Sequence, residues 1–128
     1  MDFGYSAEVV LMQKRLQTFM DENVLPAHSE WTRLSGSGIS PLSLMEDLKV
    51  KAQQQGFWNL FLPGLISDEP GTRLCNLDYA PLAEIMGRVP WSAEVFNCNA
   101  PDTGNMELLH LFATPAQQEQ WVRWSIGA

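Results

Sequence analysis

Side chains that could act as acids, bases or metal ligands are few in this sequence and stand apart. The histidines are His28 and His110, the cysteines are Cys75 and Cys98, and neither pair has the spacing of a metal site or a redox motif. Phosphate-binding glycine loops, serine-hydrolase elbows and metalloprotease motifs are all absent. The sequence therefore offers no basis for nucleotide-phosphate binding or metal-assisted hydrolysis.

Two carboxylates, Glu94 and Glu107, are the candidates for a general base. Each falls in the first turns of a predicted helix, after Ser92 and Asp102 respectively, where a negative charge complements the helix dipole. The structural interpretation is therefore favoured for both. His110, within a predicted helix, is expected to be a partly buried structural residue, and for His28 we expect solvent exposure.

Asn97 and Asn99 flank Cys98 in an otherwise apolar segment. Buried amides need hydrogen-bond partners. These two residues therefore either cap the free carbonyls at the helix break near Pro101 or point toward a polar feature of a ligand. Capping is the favoured interpretation.

Composition narrows the class of protein. The formal net charge is -7 and 45% of the residues are hydrophobic, which argues against a nucleic-acid-binding surface. Lys49 and Lys51, with Asp47, are interpreted as a solvated helix face. No apolar run is long enough to span a membrane and no targeting segment is evident at the N-terminus, so the sequence predicts a soluble, cytoplasmic protein with reduced cysteines.

The first predicted helix follows Ser6 and is ended by Pro26. Residues 29 to 38 are predicted to form a surface loop whose Trp31 folds back on the core. On the first helix, apolar residues recur on one face and charged residues on the opposite face. The inward set is Val9, Met12, Leu16, Phe19 and Met20, and the outward set is Lys14, Asp21 and Glu22.

A second helix is predicted over residues 41 to 55, with Ser40 as its N-cap, Pro41 in its first position and Gly56 as a left-handed stop. Residues 57 to 62 should form an ordered, buried connector, and residues 64 to 72 the most mobile loop. The inner stripe of the second helix is Leu42, Met45, Leu48 and Ala52.

The next helix can begin at Asn76 or at Asp78, because Pro81 is tolerated only near a helix start. It should end at Gly87, with Leu82, Ile85 and Met86 facing inward. No segment alternates with the period of a strand.

Three further helix starts follow closely: a short helix begun by Ser92, one capped by Asp102, and one opened by a capping box at Thr114. The fold class predicted is all-α, an up-and-down bundle of about five to six helices in a single domain over residues 1–128.

Two ordered blocks of sequence carry a resemblance to a known family. They are Gly56-Phe57-Trp58-Asn59-Leu60-Phe61-Leu62-Pro63 and Asn97-Cys98-Asn99-Ala100-Pro101-Asp102-Thr103-Gly104-Asn105-Met106-Glu107. Over residues 6 to 121 the chain resembles the N-terminal helical domain of acyl-CoA dehydrogenases, most of all the branch with long, multi-domain members. The resemblance implies FAD-dependent removal of hydrogens across Cα and Cβ of a fatty acyl-CoA.

The same resemblance implies that the machinery of that reaction is divided among three domains. The catalytic base comes from the C-terminal helical domain and the flavin site from the middle β domain, both expected to be absent here, so no catalytic residue and no bound FAD are expected for this chain alone. Acyl-CoA substrate, electron-transfer flavoprotein and a homo-oligomer are the implied partners. The resemblance also favours the earlier of the two starts for the helix that contains Pro81, at Asn76. Pro81 would then cause a bend or a delayed first turn.

The resemblance also implies that this chain forms part of the wall of the acyl pocket. The matching wall positions are Val95, Phe96, Asn99, Thr103 and Gly104, of which Val95 and Phe96 could equally fill the helical core. Residues 122 to 128 depart from the family pattern, which puts activity of this chain in doubt. The alternative hypothesis is a free-standing helical module that binds lipid or another protein, with tryptophans exposed as an apolar patch.

Overall fold

The computed structural model describes residues 4–62 and 74–122, and over these ranges the chain is helical with no strand. The all-α prediction is confirmed, whereas the predicted mobile loop at 64–72 lies outside the described residues. The elements are α1 (Ala7–Phe19), a π-helical segment (Met20–Val24), α2 (Leu25–Gly36), α3 (Leu42–Gln54), α4 (Asn76–Met86), a 3-10 helix (Ser92–Phe96), α5 (Asp102–Phe112), α6 (Pro115–Gln117) and a second π-helical segment (Gln118–Val122).

The first helix does not end at Pro26, so that prediction was wrong, as was the surface loop at 29 to 38. The π-helical segment shifts the hydrogen-bond register, and the Leu25 amide donates to the Met20 carbonyl. Pro26 therefore enters the first turn of α2, where its missing N–H costs little. Trp31 lies on α2 and does pack against the core, as predicted.

α3 confirms the predicted stop and corrects the predicted start. Gly56 has a φ of 76°, and its amide and that of Phe57 donate to the carbonyls of Gln53 and Ala52, which closes the helix in a Schellman motif. The start lies one residue later than predicted because Pro41 occupies the N-cap position, without a side-chain cap. Three of the predicted stripe residues are buried, but Leu42, in this first turn, is 61% exposed.

α4 begins at Asn76, the earlier of the two predicted starts, and encloses Pro81. The residue before it, Cys75, makes no side-chain cap, although its thiol donates to the Asp78 carboxylate over 3.1 Å. Pro81 is buried together with Leu82, so packing offsets the hydrogen bond that a proline removes from a helix.

Helical elements begin at Ser92 and Asp102, as predicted, but neither side chain caps its helix. Ser92 caps nothing, since its buried hydroxyl donates to the Met86 carbonyl and only a 3-10 helix follows, from Ser92 to Phe96. Asp102 is the first residue of α5 rather than its cap, a position taken by Pro101 without a side-chain bond. The Thr114 capping box with Gln117 is confirmed, with each residue bonded to the other's backbone amide.

Three phenylalanines meet at the centre of the molecule. Phe19 of α1 lies edge-on to Phe57 and Phe96, with ring centroids 5.6 Å and 5.5 Å away. All three are at most 1% exposed. Edge-to-face packing adds to the burial of apolar area, so this cluster joins α1 to the connector after α3 and to the 3-10 helix. The core around it includes Leu16, Met20, Val24, Met45, Leu48, Ala52, Leu60, Leu82, Met86, Val89 and Val95.

The connector of residues 57 to 62 is ordered and largely buried, as predicted. Its fully buried Asn59 has a left-handed backbone, with φ 56°, and its amide N–H donates to the Phe96 carbonyl over 3.1 Å. Asn97, the residue that ends the 3-10 helix, is also left-handed, with φ 53°. Its Nδ2 donates to Asn59 Oδ1 over 2.6 Å. The two asparagines thus fasten the connector to the 3-10 helix.

Replacing Asn97 should show how much this link contributes. Asn97→Ala removes the donor to buried Asn59 and replaces asparagine, which tolerates the left-handed region, with alanine, which tolerates it less well, so we expect a loss of about 2–4 kcal/mol in the free energy of unfolding. Asn97→Gly removes only the side-chain bond and should cost about 1 kcal/mol less. Urea unfolding followed by circular dichroism measures both, with exposed Asn99→Ala as the control, expected within about 0.5 kcal/mol of wild type. Equal effects of the three variants would contradict this account.

The two cysteines differ in their surroundings. Cys75 is exposed, whereas Cys98 is partly buried and its Sγ donates to the Phe96 carbonyl over 3.3 Å. Burial raises the pKa of the Cys98 thiol to about 11, against opposing hydrogen bonds from Phe61, Tyr79 and Leu60. Burial, reinforced by the neighbouring Cys98, raises the pKa of Tyr79 as well. Cys98 is thus a protonated packing residue at neutral pH.

The reactivity of the thiols should follow this difference. In the folded protein at mildly alkaline pH, an aromatic disulfide reagent should label Cys75 rapidly and Cys98 slowly, because the thiolate is the reactive form. Mass spectrometry of Cys75→Ser and Cys98→Ser proteins assigns the label, and both thiols should react alike in denaturant. Rapid labelling of the folded Cys75→Ser protein is the result that would refute it.

Candidate functional site

The five predicted wall residues fall into two groups. Val95 and Phe96 are fully buried in the core, where Phe96 contacts the rings of Phe19 and Phe57. Asn99, Thr103 and Gly104 lie at the turn into α5, with Thr103 half-buried and the other two exposed. A Cβ built on Gly104 would meet no other atom of the chain within 4 Å. Their role as an acyl wall stays a prediction.

An open cleft of about 480 Å³ lies between α3 and α5. Residues of α3 and α5 line the cleft together with Trp58 and Asn97. None of the five predicted wall residues lines it. The lining residues are Glu46, Lys49, Val50, Gln53, Trp58, Asn97, Asp102, Asn105, Met106 and Leu109.

Lys49 is the electrostatic centre of the cleft. Its Nζ lies 3.0 Å from Glu46 on the same helix and 3.2 Å from Glu94 on the 3-10 helix, and its side chain is only 22% exposed. Burial by itself lowers the pKa of Lys49, but the two carboxylates outweigh that effect and the pKa is raised. Lys49 therefore stays charged and joins the two elements.

The α3 side of the cleft corrects the interpretation of Lys49 as part of a solvated face, although Lys51 is exposed as expected. The spacing of Glu46 and Lys49 is visible in the sequence, but the second partner of Lys49, Glu94, is not, because it comes from a distant segment. The ion pair of Glu94 agrees with the structural role favoured for that residue.

Asn97 forms part of the cleft wall, and its side chain is fixed by contacts with Asn59 and Met106. Its Nδ2, which donates to Asn59, also lies 3.4 Å from Met106 Sδ on α5. Asn97 ends the 3-10 helix in a left-handed conformation, whereas its predicted capping of the break before Pro101 stays a prediction. Asn99, its predicted partner in this role, instead accepts the Thr103 amide through its backbone carbonyl. Sequence reasoning missed Asn59, whose only signal is an amide within a run of apolar residues.

These cleft residues do not fit a flavin cofactor. The pyrophosphate of FAD requires cations or free helix N-termini, whereas Lys49 is already paired with Glu46 and Glu94. α5 begins with the carboxylate of Asp102, which would repel an anion at the edge of the cleft. The cleft can accommodate an apolar or amphipathic group beside Met106 and Leu109.

Other sites can be assessed over the same ranges, 4–62 and 74–122. There, no group of three or more histidine, cysteine, aspartate or glutamate side chains could hold a metal ion. Nor does any helix in these ranges have the length and apolar character needed to cross a membrane. His28 is exposed and His110 partly buried, as predicted for each.

The chain is similar to known proteins over nearly all of its length, although no family model matches it. It is 45% identical to the probable acyl-CoA dehydrogenase FadE2 of Mycobacterium tuberculosis, over 96% of this chain and 30% of that protein. It is 42% identical to acyl-CoA dehydrogenase family member 10 of Mus musculus, over 93% of this chain and 12% of that protein.

The fold gives the same result. A structure assigned to the acyl-CoA dehydrogenases, from Mycobacterium abscessus, superposes with a TM-score of 0.79 at 37% identity. The match covers 96% of this chain and 32% of that structure, so the chain spans about a third or less of the proteins it resembles. This chain belongs to the acyl-CoA dehydrogenase family, over a segment that corresponds to the N-terminal part of its relatives.

Proposed function

We propose that this chain is the N-terminal helical portion of an FAD-dependent acyl-CoA dehydrogenase that oxidises a fatty acyl-CoA between Cα and Cβ. The observation that carries the proposal is 45% identity to FadE2 across 96% of this chain. In this function the chain supplies scaffold and part of the acyl-pocket wall. The base that takes the α-proton from the substrate and the FAD that accepts the hydride are supplied by other domains, and electrons pass to an electron-transfer flavoprotein.

The contents of the cleft support a non-catalytic role for this segment. A dehydrogenase base must be a carboxylate free to take a proton from the substrate. Glu46 and Glu94, the carboxylates nearest to Lys49, are each engaged in an ion pair. Of the two carboxylates that line the cleft, Glu46 and Asp102, Glu46 is thus not free to act as a base, and Lys49 is not free to bind an anion.

A chimera tests the proposal. Residues 1–122 of this chain would replace the matching N-terminal segment of FadE2, the relative at 45% identity. We expect the purified chimera to retain yellow flavin and to reduce an artificial electron acceptor with a fatty acyl-CoA, because the two segments are 45% identical. Unmodified FadE2 is the positive control. A soluble, folded chimera without flavin or activity would contradict the proposal.

A second candidate, a free-standing lipid-binding or interaction module, is favoured by one observation. Leu108, Leu111 and Phe112 form an apolar row on α5 and are 58%, 58% and 76% exposed. Titration of the isolated chain with acyl-CoA, followed by tryptophan fluorescence, separates the candidates. We expect no saturable binding from a partial pocket. Saturable binding by a monomer would favour the free-standing module.

The acyl-wall residues give a specificity prediction for the chimera. Thr103 is half-buried at the start of α5, and Thr103→Leu adds apolar volume at the proposed wall. The preferred acyl chain should become shorter, with kcat/KM for the longest substrates reduced roughly 10-fold or more relative to short ones. Thr18→Leu, on the exposed side of α1, is the matched control and should leave the preference unchanged. An unchanged preference in Thr103→Leu would remove this residue from the pocket.

A further inference from the structure

Three aromatic side chains form a stacked group away from the cleft. His28 and Trp31 lie about one turn apart on α2, and both rings lie nearly parallel to that of Trp91, which precedes the 3-10 helix. The ring centroids are 6.2 Å apart for His28 and Trp91 and 5.4 Å apart for Trp31 and Trp91. Trp91 is 8% exposed, whereas His28 is exposed and can exchange protons with solvent.

A hydrogen bond between two of these rings depends on protonation. Trp91 Nε1 donates to His28 Nδ1 over 3.1 Å. An indole nitrogen can only donate, so Nδ1 of His28 must carry a lone pair and the imidazole must be neutral. A second proton turns Nδ1 into a donor, and two donors cannot bond to each other. Acid therefore removes this bond.

The bond matters for α2 because that helix has few other attachments. None of its residues is fully buried. Leu25, Ala27 and Trp31 are partly buried against the core. A helix held by partly buried side chains opens locally at lower free energy than one with a buried stripe, such as α3.

The charged groups on the surrounding elements do not produce the same dependence on pH. On α2, Glu30 pairs with Arg33 over 2.7 Å, and the hydrogen bond from Arg33 holds the pKa of Glu30 below its usual value. Arg88, close to Trp91 in sequence, pairs with Asp21 of the π-helical segment over 3.2 Å, and Glu22 of that segment is exposed. Carboxylates ordinarily titrate below the range in which histidine changes its charge.

We propose that His28 is a proton-controlled clip, in which the neutral imidazole fastens α2 to Trp91 and protonation releases the indole N–H and loosens α2. The stacking of the rings persists, because an imidazolium above an indole face is attracted to it. Acidification thus opens α2 locally and leaves the rest of the fold in place. This inference is independent of the proposed enzymatic function.

The test is a pH titration of the intact chain by NMR. The indole resonance of Trp91, identified by its loss in Trp91→Phe, should move as the pH is lowered through the range in which histidine side chains gain their charge. Over the same range, hydrogen-exchange protection of the α2 amides, corrected for the intrinsic effect of pH, should fall about fivefold relative to α3. An unmoved indole resonance, or protection of α2 that stays constant, would overturn the proposal.

Three variants separate the clip from general acid effects. In His28→Asn an amide oxygen can accept the bond at any pH, so the indole resonance should become independent of pH. In His28→Phe stacking remains without an acceptor, and α2 should be loosened at every pH. His110→Gln should titrate as wild type. Movement of the Trp91 resonance in His28→Asn equal to that in wild type would assign the effect to another group and refute the clip.

Discussion

The hydrogen bond between Asn59 and Asn97 is the constraint on which the arrangement around the cleft depends. Both residues have left-handed backbones, and the 2.6 Å bond joins them across the centre of the molecule. Asn59 lies in the connector after α3 and Asn97 ends the 3-10 helix, so the bond between them fixes the connector relative to the 3-10 helix. With that distance set, Phe57 and Phe96 meet Phe19 edge-on, and Asn97 stands as the wall between core and cleft.

Electrostatic and apolar contacts extend this link outward. Lys49 joins α3 to the 3-10 helix through Glu46 and Glu94, in a partly desolvated position where an ion pair is stronger than at the surface. α2 is attached differently, through the stacking of Trp31 and His28 on Trp91. The centre of the molecule is thus rigidly packed, while α2 and the apolar row of α5 are peripheral. This division suits a segment that supports a larger enzyme, since its exposed surfaces remain available to other domains.

Much of the helical architecture could be predicted because the signals are local. Gly56 ends α3 through its own backbone freedom, and Thr114 and Gln117 form a capping box within four residues. The inward faces of α1 and α4 follow from periodicity alone, as the burial of Leu16, Phe19, Leu82 and Met86 shows. Pro26 was misjudged because a proline ends a helix only when the register is uninterrupted, and here a π-helical segment precedes it. Asp102 is the first residue of α5 rather than the predicted N-cap, and the Ser92 hydroxyl donates to the Met86 carbonyl, a contact that the sequence does not show.

The sequence alone determined the helical class, most helix ends and the family resemblance, because these depend on residues close together along the chain or on patterns shared with relatives. Only the tertiary structure decided that Val95 and Phe96 lie in the core, that Lys49 pairs with Glu94, and that Asn59 bonds to Asn97. Each of these depends on segments distant in sequence being brought within a few ångströms. Local propensity carries no information about such distances, which are set when apolar faces pack together and buried polar groups find their partners.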